Sequence, residues 1–227
     1  MNIVLKSRKI SYEKDSSERV LQLIDRKSTP LTYRADAVLF LDGDPAEMVY
    51  RVVHGVVRCM NVAEDGRKHI VNFACAGSLI GADFDEAWRF TAEAVGDVRI
   101  RAMQRSAFLR AVAADPALSE WRMQHVQELL REREAQLLTF ASCGADARLM
   151  HFLAEFATTA GADLRRGGGA TALPMSRRDI ADHLGVSFET VSRAFSTLKR
   201  RGLLEMIGPG VFRLPDRSPV PEVAGVL

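Results

Sequence analysis

The hydrophobic pattern changes its period along this chain. Between residues 30 and 104 the apolar positions come in short runs: Val38–Leu41, Met48–Val53, Val56–Val62 and Ile70–Phe73. Asp42-Gly43-Asp44, Gly55, Asp65-Gly66, Gly77 and Gly81 punctuate them. Such runs between turn residues predict strands, and Asp-Gly is a favoured hairpin turn. Strands this short and this closely spaced predict a small barrel or jelly roll. From Pro116 to Phe140 the period becomes helical, with Leu118, Trp121, Val126, Leu129, Arg133, Leu137 and Phe140 recurring every three to five residues. That stripe suits pairing with a second copy of itself, flanked by the charged run Glu128, Arg131, Glu132, Arg133 and Glu134. A helix lying on its own roll is the other reading of the same stripe. Cys143-Gly144 interrupts it as a hinge, and a further helix is predicted from Arg148 to Thr159. Gly161–Gly169, with Arg165-Arg166, reads as a loop. The tail from Asp216 to Leu227 has two prolines and little periodicity, and disorder is expected there.

Residues 174–207 carry the most specific pattern. Ser176 is a good N-cap, with Asp179 three residues on, and Ile180, Ala181 and Leu184 supply a buried helical face. Gly185 ends that helix, and Ser187 caps a second one that runs through Arg201 to Gly202. On the second helix Val191, Phe195 and Leu198 form an inward stripe, while Glu189, Ser192, Arg193 and Ser196 form a polar one. Small Ala181 marks where the helices cross. Two helices and a tight turn, with a polar stripe at the start of the second, make the pattern of a helix-turn-helix whose recognition helix enters the DNA major groove. Arg193 can donate two hydrogen bonds to guanine, and Glu189 can accept from the amino group of cytosine or adenine. Ser176, Arg177, Arg178, Ser187, Thr190 and Lys199 suit phosphate contacts, which position without specifying. Phe188 has two readings, contact with a thymine methyl or packing against the turn, and packing is preferred. The alternative to the whole pattern is an amphipathic helical hairpin with a solvated face. Charge argues against that. Residues 161–213 hold nine Arg and Lys against five Asp and Glu, although the chain as a whole is only +2. Leu203–Ile207, Gly208-Pro209-Gly210 and Val211–Leu214 follow as strand, turn and strand, a wing.

At Ser-Arg-Arg-Asp-Ile-Ala-Asp-His-Leu-Gly-Val-Ser-Phe-Glu-Thr-Val-Ser-Arg, residues 176–193, the chain resembles the DNA-binding signature of the Crp/Fnr transcription regulators. Asp42–Val52 also resembles the effector-domain roll of that family, so that the likeness spans roughly residues 30–214. The resemblance implies an α+β fold in four parts. Residues 1–110 would be a sensory β-roll, a double-stranded β-helix of the jelly-roll, cyclic-nucleotide-binding-like kind. Residues 111–143 would be a dimerisation helix carrying Leu118, Trp121, Val126, Leu129 and Leu137. Residues 144–215 would be a winged helix-turn-helix, and 216–227 the tail. It implies a homodimer that works on double-stranded DNA together with RNA polymerase. The cyclic-AMP receptor branch has Arg before the Glu and Gly before the last Arg, where this chain has Phe188 and Ser192. Glu189, Ser192 and Arg193 instead resemble the Fnr/FixK branch, which implies a palindrome of TTGA half-sites. In it Arg193 would read the guanine, Ser192 a thymine and Glu189 the complementary strand.

The remaining residues narrow the sensory chemistry. Cys59, Cys75 and Cys143 are scattered and none lies near the N-terminus, so the four-ligand iron–sulfur centre of an Fnr-type oxygen sensor is not expected. Where nucleotide-binding family members have Gly-Glu, this chain has Gly81-Ala82, with Asp83 next. Phe90 stands where the phosphate-binding Arg belongs, with Arg89 one place away and therefore on the opposite face of a strand. A cyclic nucleotide is therefore not expected, and no cofactor is assigned. His69 and Cys75 raise the idea of haem, but a lone Cys in a strand reads more simply as a small buried hydrophobe. Cys143, near the hinge, is a possible redox site, with an inert thiol as the plainer reading. A metal-dependent jelly-roll enzyme is the competing class. His54 and His69 stand alone without facial-triad spacing, and no catalytic motif appears. No apolar run is long enough to span a bilayer, and the N-terminus lacks signal-peptide features, so a cytoplasmic protein is expected. An unidentified small-molecule effector in the roll remains the alternative mode of control.

Overall fold

A computed structural model describes residues 14–83, 86–161 and 169–215. The Gly161–Gly169 loop, with Arg165-Arg166, lies largely outside the described residues, and the tail expected to be disordered lies wholly outside them. The chain divides into two compact units, and the division falls between Glu132 and Arg133.

The N-terminal unit is an antiparallel roll. Its strands are β1 (Thr29–Tyr33), β2 (Val38–Phe40), β3 (Met48–Val62), β4 (Lys68–Cys75), β5 (Leu79–Ile80) and β6 (Thr91–Gln104). The sheet runs β1-β6-β3-β4, with β2 paired to β6 and β5 to β3. Gly55, which the sequence pattern treats as a boundary between two strands, lies inside one continuous strand. There it marks a break in register against β6. Its φ is +85°, and a Cβ at that position would stand 2.5 Å from the carbonyl oxygen of Asp97. The glycine bends β3 without ending it, which lets one long strand serve the curved roll.

The interior of the roll is filled by side chains. Phe40 and Trp88 stack with ring centroids 3.7 Å apart, and Tyr50 and Phe90 lie 5.7 Å from Phe40. Val52, Val57, Cys59 and Ile100 complete that core. A second core lies where three helices meet the sheet: α1 (Lys14–Lys27), α2 (Arg105–Ala114) and the start of α3 (Pro116–Ser142). Val20 and Ile24 from α1 meet Phe108 and Val112 from α2, and Leu118 and Trp121 from α3.

The C-terminal unit holds the end of α3, then α4 (Ala145–Thr159), α5 (Arg177–Leu184) and α6 (Phe188–Arg200). It also has a three-stranded sheet, order β7-β9-β8, made of β7 (Thr171–Ala172), β8 (Glu205–Gly208) and β9 (Val211–Arg213). Its core is Leu149, Leu153 and Phe156 of α4, Ile180 and Leu184 of α5, and Val191, Phe195 and Leu198 of α6, closed by Phe212 of the wing.

Candidate nucleic-acid interface

The helix-turn-helix is built by its caps. Ser176 and Asp179 form a reciprocal capping box: Asp179 N–H donates to Ser176 Oγ at 3.1 Å, and Ser176 N–H to Asp179 Oδ2 at 2.9 Å. Gly185 then takes φ +65°, the left-handed turn that ends α5. Val186 N–H returns to the carbonyl of Ala181 at 3.2 Å, and Ala181 is 1% exposed at this crossing. Ser187 restarts the chain as α6, its Oγ accepting from Thr190 N–H at 3.2 Å.

The cap places the base-reading candidates on the outer face of α6. Glu189 and Arg193 are exposed, while Val191, Ala194, Phe195 and Leu198 are buried. Hydrogen bonds from its own backbone N–H and from Ser187 hold the Glu189 carboxyl below the usual glutamate range, and the charges of Arg178 and Arg193 act in the same direction. Arg193 Nη2 donates weakly, at 3.5 Å, to Thr190 Oγ1, which itself lies 3.0 Å from Ser187 Oγ. Ser192 is half-buried and its Oγ has no hydrogen-bond partner among the described residues, so its hydroxyl has to turn outward to reach a base edge. Phe188 differs from the preferred sequence reading. Its side chain is 44% exposed at the start of α6, because Val191 and Phe195 already fill the inward stripe.

The phosphate candidates fall into separate groups. Arg177 lies over the ring of buried Phe195, 5.0 Å from its centroid, which fixes the stem while leaving the residue exposed. Arg177 and Lys199 line one cleft of about 410 Å3 with Leu173, Met175, Ile180 and the wing residue Met206. Arg178, Ser187 and Lys199 are exposed, and Thr190 is half-exposed. Ser176 is exposed too, but its hydroxyl donates to Asp179 Oδ2 at 2.7 Å, so a phosphate would have to compete with the cap. The wing is pinned by Arg213, whose Nη2 and Nε donate to Glu205 Oε2 at 2.6 and 3.1 Å.

The long helix redistributes the residues of the predicted stripe. Leu118 and Trp121, expected on the partner-facing side, are each 5% exposed in the core of their own unit, because α1 and α2 pack against the first turns of α3. Val126 and Leu129 are half-buried. The most exposed apolar side chains are Met123 at 61%, Leu130 at 60% and Leu137 at 68%, spaced seven residues apart, and Leu138, next in sequence to Leu137, is exposed as well. Phe140 is half-buried, with the Arg148 guanidinium 5.5 Å from its ring centroid. Cys143 is half-buried, its Sγ 3.8 Å from Ser142 Oγ. Cys59 and Cys75 are buried in the roll, and His69 is exposed on the hairpin between β3 and β4. Arg148 is a residue that sequence reasoning missed, because its partners are backbone carbonyls and no side-chain pattern announces them.

A β-roll followed by a winged helix-turn-helix with an exposed polar recognition stripe defines a sequence-specific DNA-binding regulator. Comparison with known proteins agrees. Residues 147–218 match the Crp-like helix-turn-helix domain, and residues 30–115 match the cyclic nucleotide-binding domain. The nitrogen fixation regulation protein FixK of Azorhizobium caulinodans is 34% identical over 206 residues, covering 90% of this chain and 82% of that one. The transcriptional activatory protein AadR of Rhodopseudomonas palustris is 30% identical over 190 residues, covering 82% and 78%. The solved structure of FixK2 from Bradyrhizobium japonicum superposes with a TM-score of 0.74 at 35% identity, covering 82% of this chain and 92% of that one. The chain belongs to the Crp/Fnr family of DNA-binding transcription regulators. That is a family of regulators, not enzymes, which removes the metal-dependent jelly-roll enzyme from consideration. Among the described residues no helix is long and apolar enough to cross a membrane.

Proposed function

We propose that the protein acts in the cytoplasm as a homodimer on a palindromic TTGA-type operator, where it meets RNA polymerase. One observation carries this reading: the exposed Glu189 and Arg193 lie on one face of a helix capped by Ser187, with the Glu189 carboxylate held ionised by Ser187 and its own backbone. An ionised acceptor and a guanidinium on adjacent turns suit an amino group and a guanine in one major groove. Ser192 is assigned to the neighbouring thymine. Arg177, Arg178, Ser187, Thr190 and Lys199 are assigned to phosphates, and Ser176 to the cap first. The seam of the dimer is assigned to Met123, Val126, Leu130 and Leu137, an apolar heptad series on α3 that suits a parallel partner. The packed rings of Phe40, Tyr50, Trp88 and Phe90 support a roll that takes no cyclic nucleotide. Phe90 lies just before β6 and packs with its ring centroid 6.2 Å from that of Trp88, an aromatic ring where the family's nucleotide binders carry a guanidinium.

The test is operator binding by an Arg193→Ala variant. A loss of about 1–3 kcal/mol, with discrimination relaxed at one guanine, is the expected result. Wild-type affinity and selectivity in that variant would sink the assignment.

A further inference from the structure

Three backbone carbonyls from two helix ends converge on one side chain, Arg148, in the first turn of α4. Its Nη2 donates to Phe140 O at 2.6 Å and its Nε to Cys143 O at 2.9 Å, both at the end of α3. Its Nη1 donates to Leu184 O at 3.3 Å, the last residue of α5 and the one before the Gly185 turn. The guanidinium also faces the ring of Phe140, 5.5 Å from the centroid. Phe140 in turn stands edge-on to His183 of α5, with centroids 6.5 Å apart.

Elementary electrostatics marks this arrangement as more than filling. The last carbonyls of a helix have no partner within it and form the negative end of its dipole. The last turn of α3 has no basic residue of its own. Arg148 supplies the missing cation to α3 and adds a fixed charge at the end of α5, whose last turn has only His183. It does so from the N-terminal turn of α4, where a cation is disfavoured by that helix's own dipole. A guanidinium, always charged and with its donors in a rigid planar fork, holds its three acceptors in fixed directions; an ammonium also has three donors, but on a flexible stem it fixes no such geometry.

We infer that Arg148 is a positioning residue for DNA recognition: it joins the end of the long helix to the turn of the helix-turn-helix and so fixes the aim of the recognition helix. This rests on the reading of the protein as a dimer on a palindrome, since an aimed helix matters most when two must be satisfied at once. The carbonyl held at Leu184 is the last one before Gly185, whose left-handed turn separates α5 from α6. A chain without the clamp keeps its base-reading side chains but lets each recognition helix swing about Cys143-Gly144.

The test separates aim from readout. Full-length wild type, Arg148→Met and Arg148→Lys are titrated against the operator, against operators with half-sites respaced by one base pair, and against an operator with the half-site guanine replaced. Respacing by one pair turns a half-site by roughly 35° and moves it by roughly 3.4 Å. Wild type is expected to lose about tenfold in affinity on respacing, of the order of one lost base contact. In both variants the respacing penalty is expected to fall to about twofold, while the guanine penalty stays as in wild type. Arg148→Lys keeps the charge between the helix ends and guards against a variant that merely unfolds, which a thermal melt reports. An unchanged respacing penalty in the variants overturns the inference, as does an equal fall in both penalties. A wild type indifferent to spacing also overturns it. If that wild type sediments as a monomer, the dimer reading falls with it; if it sediments as a dimer, only the clamp does.

Discussion

At the scale of single residues, recognition depends on which side chains are held before DNA arrives. Glu189 is held as a carboxylate by Ser187 and by its own backbone N–H, with Arg178 and Arg193 adding positive potential. A depressed carboxyl pKa means that the ionised form persists below the ordinary glutamate value of about 4.3. The sign follows: whatever the ionised group contributes is present above that value and is lost only as pH falls through the lower, folded one. Discrimination at the base facing Glu189 should therefore be flat from about pH 8 to pH 5, measured as the affinity ratio of two operators differing there. A ratio that collapses near pH 6 would contradict the assignment. Arg177 differs in kind. Arg177→Ala should weaken binding to all sequences alike and lower the salt dependence by about one phosphate. It should also remove the guanidinium from the Phe195 ring, at a stability cost of about 0.5–1 kcal/mol. The polar stripe on the outer face of α6 and both serine caps were legible in the sequence because residue type at helical spacing determines them. The exposure of Phe188 and the clamp of Arg148 were not. Exposure depends on which neighbours fill the inward face, and carbonyl partners leave no trace in residue type.

At the scale of elements, the caps and the helix seam carry the account. Ser176→Ala removes one half of the capping box and should cost about 0.5–2 kcal/mol, read as a lowered thermal midpoint of the C-terminal unit. The seam predicts that Leu130→Glu, at a position 60% exposed in one chain, gives a folded monomer by sedimentation with greatly weakened operator binding. A variant that stays dimeric would remove Leu130 from the seam. The long helix shows where periodicity misleads. Leu118 and Trp121 continue the apolar stripe, yet they are covered by α1 and α2. Neither covering helix stood out in the sequence, although Val20 and Ile24, and Phe108 and Val112, each recur at a helical interval of four. Leu129, chosen for the stripe, is half-buried, and its neighbour Leu130 is exposed, because one step along a helix turns the side chain by roughly 100° onto a different face. Gly55 was legible as a turn signal, but in a curved roll the same left-handed glycine serves a bulge within one strand.

At the scale of the whole molecule, sequence and structure agree because each level of patterning points the same way. Short strands punctuated by glycine give the roll, a helical stripe gives the long helix, and the basic excess gathers at the helix-turn-helix. What the sequence left open, the filling of the roll, is decided by aromatic side chains distant in sequence, Phe40 and Trp88 among them, which no local period reveals. A roll with its own aromatic core has no need of a ligand to complete it, and DNA binding should then be effector-independent. The most direct measurement is to incubate the purified, effector-free protein with random duplex DNA and to sequence what it retains. The account predicts enrichment of two TTGA half-sites related by a two-fold axis, with centres about one helical turn, roughly 34–36 Å, apart. Retained DNA with no shared motif, or with a single unpaired half-site, would contradict it.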